Sequence, residues 1–238
     1  MRRAFLPLLA SVLASVALAP RAHACGLTPP IGPNGLPTVC HGDRAVGVRA
    51  GLTAGGTATR IVFPGGRASL EQGAVAATLD LSFGSRFGVS AAAGSSAGGS
   101  VSYAGSRYDL LPGPLGGLGV SYRWFGDGVP FVHTSFTLAL ARSTARAPGG
   151  AESSFLSRDY RLGLAMGHAI GKVAAPFVVA RYFGAGTSWE PGGGVGADAF
   201  RYHVGVGSAF GFGEHLDALV EVLPLGERRV SVGAGYTF

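Results

Sequence analysis

The chain has 238 residues, of which 47 % are hydrophobic and only 13 % are charged. A soluble domain usually carries nearer ~25 % charged residues, so this composition argues against an ordinary soluble domain. The formal net charge of +6 falls to about +3 if the arginines of a leader are removed. No basic run with interleaved aromatic residues occurs, so no nucleic-acid partner is predicted.

The first 24 residues have the features of a cleavable secretory signal peptide. Met1-Arg2-Arg3 is a short basic head, and an apolar run follows from Ala4 to Ala19. Ala22-His23-Ala24 matches an A-x-A cleavage site, so the mature chain should begin at Cys25. The alternative is a retained membrane anchor; Pro20-Arg21 argues against it because it ends the apolar run early.

Residues 25–42 form a segment rich in proline and glycine, which we interpret as a periplasmic lead. Its two cysteines, Cys25 and Cys40, should pair as a disulfide in an oxidising compartment. Closing this loop would contribute about 3 kcal/mol in the chain-entropy model. The alternative is a lipoprotein acylated on Cys25; against it, Ala22 stands where a lipobox has leucine.

From residue 43 to the end, apolar residues alternate with small or polar ones, which predicts β-strands. Segments rich in glycine and proline predict the connections between them. Long loops are predicted at 55–72, 98–113, 143–154 and 185–198, and short turns at 84–86, 126–128, 171–172 and 213–214. Ten strands are predicted, with eight as the alternative, at 44–52, 74–84, 87–93, 118–124, 129–142, 160–166, 174–184, 200–210, 217–222 and 229–238.

The final strand, Arg229 to Phe238, has the clearest alternation. Its apolar face consists of Val230, Val232, Ala234, Tyr236 and Phe238. It resembles the C-terminal signature strand of small bacterial outer-membrane β-barrels of the OmpA/OmpX-like class, which ends in an aromatic residue. The resemblance implies that Tyr236 and Phe238 form the signal that the outer-membrane assembly machinery reads.

The predicted fold is therefore all-β, a closed antiparallel transmembrane β-barrel spanning residues 43–238, with long extracellular loops and short periplasmic turns. Past the signal peptide, no apolar run reaches the ~20 residues of a membrane-spanning helix. A closed barrel satisfies every backbone N–H and C=O group in lipid. The predicted location is the outer membrane of a Gram-negative cell, in contact with its lipid, with both termini in the periplasm. The alternative is a periplasmic or secreted β-sandwich.

The inward face is predicted to carry small residues together with charged side chains that form ion pairs. A narrow barrel fills its interior with side chains, and an unpaired charge there would be costly. Because inward arginines outnumber the acids, a small, weakly anion-selective pore is the alternative. The predicted lumen residues are Arg49, Asp80, Arg123, Arg161, Arg201, His203, Asp217, Glu221 and Arg229.

One sequence feature could support catalysis. His133-Thr134-Ser135 resembles the pair of outer-membrane lipid A deacylases, in which histidine activates serine as the nucleophile. The chain departs from that pattern, because Phe136 stands where those enzymes have asparagine and no glutamate follows at the expected spacing. We therefore interpret His133 as an interior histidine and predict no enzymatic activity, with a lipid-modifying enzyme as the alternative.

No metal or cofactor is predicted. The histidines lack metal-ligand spacing with cysteine or acidic residues, and the glycine-rich stretches do not lead into a helix as a phosphate-binding loop would. The predicted function is a structural or surface-interaction role in the outer membrane, with a surface ligand that the sequence does not specify.

Overall fold

The computed structural model describes residues 46–84, 86–125, 130–170, 173–213 and 215–238. The predicted signal peptide, the lead at 25–42 and the Cys25–Cys40 disulfide lie outside these residues. Within the described ranges, no helix is long and apolar enough to cross a membrane.

The described residues form twelve β-strands and one short 3-10 helix at Glu190–Gly192. The strands are β1 (Val46–Phe63), β2 (Gly66–Phe83), β3 (Phe87–Tyr103), β4 (Ser106–Leu111), β5 (Gly113–Phe125), β6 (Phe131–Arg146), β7 (Glu152–Gly167), β8 (Ala174–Trp189), β9 (Gly194–Asp198), β10 (Tyr202–Phe212), β11 (Leu216–Gly226) and β12 (Arg228–Thr237).

Neighbouring strands pair antiparallel, and the last strand returns to the first. Arg49 pairs with Thr237, and Ala58 with Arg228, so β12 closes the sheet against β1 into a barrel. β4 and β5 both lie between β3 and β6, separated by Pro112, which cannot donate to a sheet ladder. At the end that holds Val46 and Phe238, here the lower end, the ring contains ten strands: β1, β2, β3, β5, β6, β7, β8, β10, β11 and β12.

The opposite end, here the upper end, has a narrower ring. The β11–β12 hairpin turns at Glu227, below the tips of its neighbours, and β9 crosses above it to pair Asp198 with Ile61 and Ala197 with Val62. Above that turn the ring consists of β1, β2, β3, β4, β6, β7, β8 and β9, which is eight strands. The predicted ten strands match the lower ring, but the described residues form twelve strands, because β4 and β9 are additional strands in the upper part.

The predicted long loops are wrong in their extent, because most of their residues belong to long strand hairpins. Gly55 lies within β1, and Gly98 and Gly99 lie within β3. A Cβ on Gly55 would lie 2.8 Å from the carbonyl oxygen of Val230. Gly98 has a φ of 85°, beside a shift in the β2–β3 register after Gly73. These glycines mark close strand approach and a bulge rather than connections.

The outward surface has two zones. Toward the lower end it is an apolar band, with Leu52, Leu118 and Leu162 each more than half exposed. Aromatic rings lie at its lower edge (Phe83, Phe87, Trp124, Phe212, Tyr236, Phe238) and its upper edge (Tyr160, Tyr182, Tyr202). Contiguous exposed apolar surface with aromatic edges is the pattern of a lipid-facing barrel. Above the band, the outward residues include the charged side chains of Arg60, Arg67, Glu71, Arg107, Asp109, Arg142, Arg146, Glu152 and Arg158.

Candidate functional site in the barrel lumen

The lower part of the lumen is packed with side chains. Asp80 and Glu221 are 0 % exposed, His133 is 1 % exposed and Arg181 is 2 % exposed. Apolar residues fill the space beside these polar groups, notably Phe131, Phe177, Val179, Leu219 and Leu223. At this level, water does not reach the inward side chains.

One arginine joins three strands at the seam where the barrel closes. Arg49 Nη1 donates to Asp80 Oδ2 (2.8 Å), while its Nε and Nη2 donate to Asp217 Oδ2 (2.7 Å) and Oδ1 (2.5 Å). The guanidinium lies over Gly235 and would overlap a Cβ placed there. Bidentate arginine–carboxylate contacts are among the strongest hydrogen bonds in proteins. The inward glycine of the signature strand therefore provides room for this buried ion pair.

A second buried pair joins β8 to β11. Arg181 donates through Nη1 to Glu221 Oε1 (2.8 Å) and through Nη2 to Oε2 (2.6 Å). His203 Nε2 lies 3.4 Å from Arg181 Nη1. Both faces of the predicted strand 174–184 are apolar, so the alternation does not indicate which side chains face inward. Arg181 is therefore missing from the predicted lumen residues.

Aromatic side chains close the upper part of the lumen. Trp189 is 1 % exposed. Four rings surround it, with centroids 4.9 to 5.9 Å from its own, from Phe63, Tyr103, Tyr108 and Phe155. Tyr103, Tyr108 and Trp189 lie within the predicted loops 98–113 and 185–198. They face inward because the hairpins continue as strands above the apolar band.

Between the packed lower part and the aromatic closure lies a chamber of about 190 Å³. Its wall is built largely from alanine and glycine, and five threonines also line it: Thr53, Thr57, Thr59, Thr137 and Thr187. Five charged residues face it and form what we call the chamber cluster: Asp159, Arg161, Asp198, Glu227 and Arg229.

The chamber cluster is held together by ion pairs and hydrogen bonds. Arg161 pairs with Asp159 and, at 3.5 Å between Nη2 and Oε1, with Glu227. Glu227 Oε2 lies 3.6 Å from His203 Nδ1. Thr59 Oγ1 donates to Asp198 Oδ1 (2.9 Å). The turn of the short β11–β12 hairpin therefore faces into the lumen.

The chamber adjoins an interruption in the barrel wall. Gly186 pairs with Ala197, and Tyr182 with Tyr202, and residues 199–201 interrupt the strand ladder between β9 and β10. A groove of about 520 Å³ follows this interruption on the outside. Its floor reaches Asp159, Ala185 and Asp198, which also line the chamber.

The structure places most predicted lumen residues inside the barrel and one of them outside. Arg49, Asp80, Arg123, Arg161, His203, Asp217, Glu221 and Arg229 face the lumen. The prediction that Arg201 faces the lumen is wrong, because its side chain is exposed and lines the groove. The alternation that assigned it inward does not apply, since it lies in the interruption before β10.

Three members of the chamber cluster were not predicted. Asp159 lies two residues before Arg161 on β7, so extending the alternation by one step would have found it. Asp198 lay within a predicted loop. Glu227 lies in the turn between β11 and β12, where no alternation indicates its direction.

His133 and Ser135 lie on the same inward face of β6, in the packed lower part. His133 is 1 % exposed and Ser135 is 6 % exposed. Neither ring nitrogen of His133 has a hydrogen-bond partner within the described ranges. The Ser–His hydrogen bond that activates a nucleophile is therefore not formed.

Within the part of the chain that the structure describes, no group of three or more His, Cys, Asp or Glu side chains has a geometry that could hold a metal ion. The chamber cluster instead combines acids with arginines in direct contact. Such a set can neutralise its own charges and can hydrogen-bond a small polar group that enters the chamber.

Comparison with known proteins identifies the fold. No family model and no curated protein sequence matches the chain. Among solved structures, the translocator domain of the autotransporter NalP from Neisseria meningitidis matches with a TM-score of 0.50 at 14 % identity, covering 84 % of this chain and 91 % of that one. The outer-membrane protease OmpT from Escherichia coli matches with a TM-score of 0.50 at 12 % identity, covering 87 % of this chain and 100 % of that one.

These matches correct one prediction and confirm another. The prediction of no enzymatic activity is contradicted, because one of the structures with this fold is a protease. At such low identity the likeness concerns the fold and not the chemistry. The barrel prediction is confirmed: the chain has the fold of the bacterial outer-membrane β-barrels.

Proposed function

We propose that this protein is a non-conducting outer-membrane barrel with a structural or surface-interaction role. The observation that carries the proposal is the packed lower lumen. Arg49, Asp80, His133 and Glu221 are each at most 3 % exposed, although they face the inside of the barrel. An aqueous pore at this level would leave them in contact with water.

The energetics of the lumen favour a permanent closure. A charge removed from water without a partner is strongly destabilising, and both buried arginines are held bidentately. Opening a path would require Arg181 to leave Glu221, or Arg49 to leave Asp217, while each remained in a narrow, largely dry interior. The small pore that the inward arginines suggested is therefore the less supported candidate.

The upper part of the wall supports the surface-interaction role. β1, β2, β4, β6 and β7 lie partly or wholly above the apolar band, and their outward faces there carry charged side chains. Arg60, Arg67 and Arg146 are exposed on this part of the wall. The exposed charged side chains above the lipid-facing band form what we call the collar. The collar is positioned to contact the lipid headgroups and the surface outside the membrane.

Conductance in planar lipid bilayers tests the closure. The purified full chain is reconstituted, and its folded fraction is measured by comparing boiled with unboiled samples on an SDS gel, since a closed barrel resists SDS until heated. A general porin reconstituted in parallel shows that channels are detected. We expect no conductance steps from the folded protein; regular steps with a reversal potential favouring anions would overturn the proposal and support the pore.

A further inference from the structure

The groove beside the wall interruption has the geometry of a lipid site. Leu140, Arg158 and Gly186 are directly opposite one another across β6, β7 and β8, and Ala197 continues the row on β9. A Cβ on Gly186 would meet no atom within 4 Å, so the space beside Arg158 is open. The small residues of this row create the groove.

The lower side of the groove is apolar and continuous with the lipid-facing band. Leu138, Tyr160 and Gly184 form the next row down. Gly184 has no side chain, and the ring of Tyr160 occupies the position that its Cβ would take. Leu138 and Tyr160 are about half exposed and, with Phe200, line the groove. An acyl chain lying against the band could enter from below without leaving an apolar environment.

The upper side of the groove is basic. Arg158 and Arg201 are both exposed and both line it. The backbone of Arg201 is fixed, because its carbonyl oxygen accepts a hydrogen bond from the Phe183 N–H (2.8 Å). The acids at the groove, Asp159 and Asp198, are engaged on the lumen side by Arg161 and Thr59. The outward-facing charge of the groove is therefore positive.

We propose that this groove binds one phosphorylated lipid of the outer leaflet, with its phosphate on Arg158 and Arg201 and an acyl chain along Leu138, Leu140 and Tyr160. Charge complementarity and continuity with the apolar band support this occupant. Arginine forms strong charge-assisted hydrogen bonds to phosphate, and the groove volume is in the range of small-ligand sites. The proposal rests on the outer-membrane location and not on the closure of the lumen.

The test is binding of diphosphorylated lipid A to the purified, folded full chain in neutral detergent, measured by native mass spectrometry. The double variant Arg158→Gln with Arg201→Gln should lose at least about tenfold in affinity, equivalent to about 1.4 kcal/mol. Gly186→Leu keeps both arginines but fills the groove, so it should lose affinity by a similar factor. The matched control is Arg67→Gln with Arg107→Gln, which removes the same charge from exposed positions on β2 and β4, away from the groove, and should bind as the wild type does.

Three results would overturn the proposal. Equal loss in the control variant would show that attraction is diffuse over the collar. Binding of lipid A from which both phosphates have been removed, with the same affinity, would show that the arginines do not select phosphate. Full competition by inorganic phosphate at equimolar concentration would indicate a free-anion site. Conductance, measured separately on the same preparations, distinguishes failure of this site from failure of the closed-barrel function.

Discussion

Replacing Arg49 tests whether the buried ion pairs hold the barrel closed. The Arg49→Met variant leaves Asp80 and Asp217 in a dry lumen without their cation. Both carboxylates are nearly inaccessible, at 0 % and 3 % exposed. Removing one partner of a buried ion pair typically costs about 3–5 kcal/mol, and the two remaining acids also repel each other. We expect a loss of stability of at least this order.

The assay is urea unfolding of the purified barrel in lipid vesicles, followed by tryptophan fluorescence and by heat-modifiable gel mobility. The matched variant is Arg49→Met with Asp80→Asn and Asp217→Asn, which removes the charges together. Because no ion is left unpaired, it should recover most of the lost stability. A loss below about 1 kcal/mol in the single variant, or no recovery in the triple variant, would refute the reasoning.

Gly235 provides an independent check on the same contact. A Cβ at this position would overlap the guanidinium of Arg49, which three hydrogen bonds to two acids hold in place. Gly235→Ala should therefore cost about 1–3 kcal/mol in the wild type, the usual cost of overpacking. In the background of the Arg49 triple variant the cost should largely disappear. Equal costs in both backgrounds would show that Gly235 matters for another reason.

The other predictions concern the two ends of the barrel and His133. Deleting Phe238 should reduce the heat-modifiable outer-membrane form while leaving export intact, because the deletion removes the last ring of the signature strand; a normal yield of assembled barrel would contradict this. Trp189→Ala should lower the free energy of unfolding by about 3–5 kcal/mol without producing conductance in planar bilayers, since the lower lumen stays packed; channel steps from this variant would show that the upper closure is the seal. His133→Leu should leave the urea midpoint unchanged or raise the free energy of unfolding by about 1 kcal/mol, because both ring nitrogens are buried without a hydrogen-bond partner among the described residues; a large loss would indicate a hydrogen-bonded role for the ring.

The barrel could be predicted from the sequence because strand alternation at the membrane level is enforced by lipid on one side and the lumen on the other. The strand from Val230 to Phe238 is the clearest case, with every second side chain apolar. On β8 the same rule gave no answer. Val178 is 55 % exposed and Val179 is 2 % exposed, because one side of the lower lumen is itself apolar. Without knowing that Phe131 and Leu219 lie opposite, the sequence could not assign Arg181.

The long hairpins could not be predicted because glycine has two roles in this chain. At Gly84 and Gly213 a positive φ marks a turn, as expected. At Gly55 and Gly235 the missing side chain instead makes room for a neighbouring strand or a guanidinium. Both roles require glycine, so the sequence does not distinguish them. Only the neighbouring strand or side chain in the folded barrel shows which role a given glycine has.

The short last hairpin links the features that could not be predicted. β11 ends at Gly226, whose φ is 83° and where a Cβ would overlap the carbonyl oxygen of Tyr202, so this position requires glycine. Because the hairpin ends there, Glu227 lies inside the lumen beside Arg161, and β1 pairs above it with β9. β9 must leave the line of β10 to reach β1, and that departure opens the wall beside Arg201. The chamber cluster and the groove thus share a single cause, the two-strand difference between the lower and upper rings.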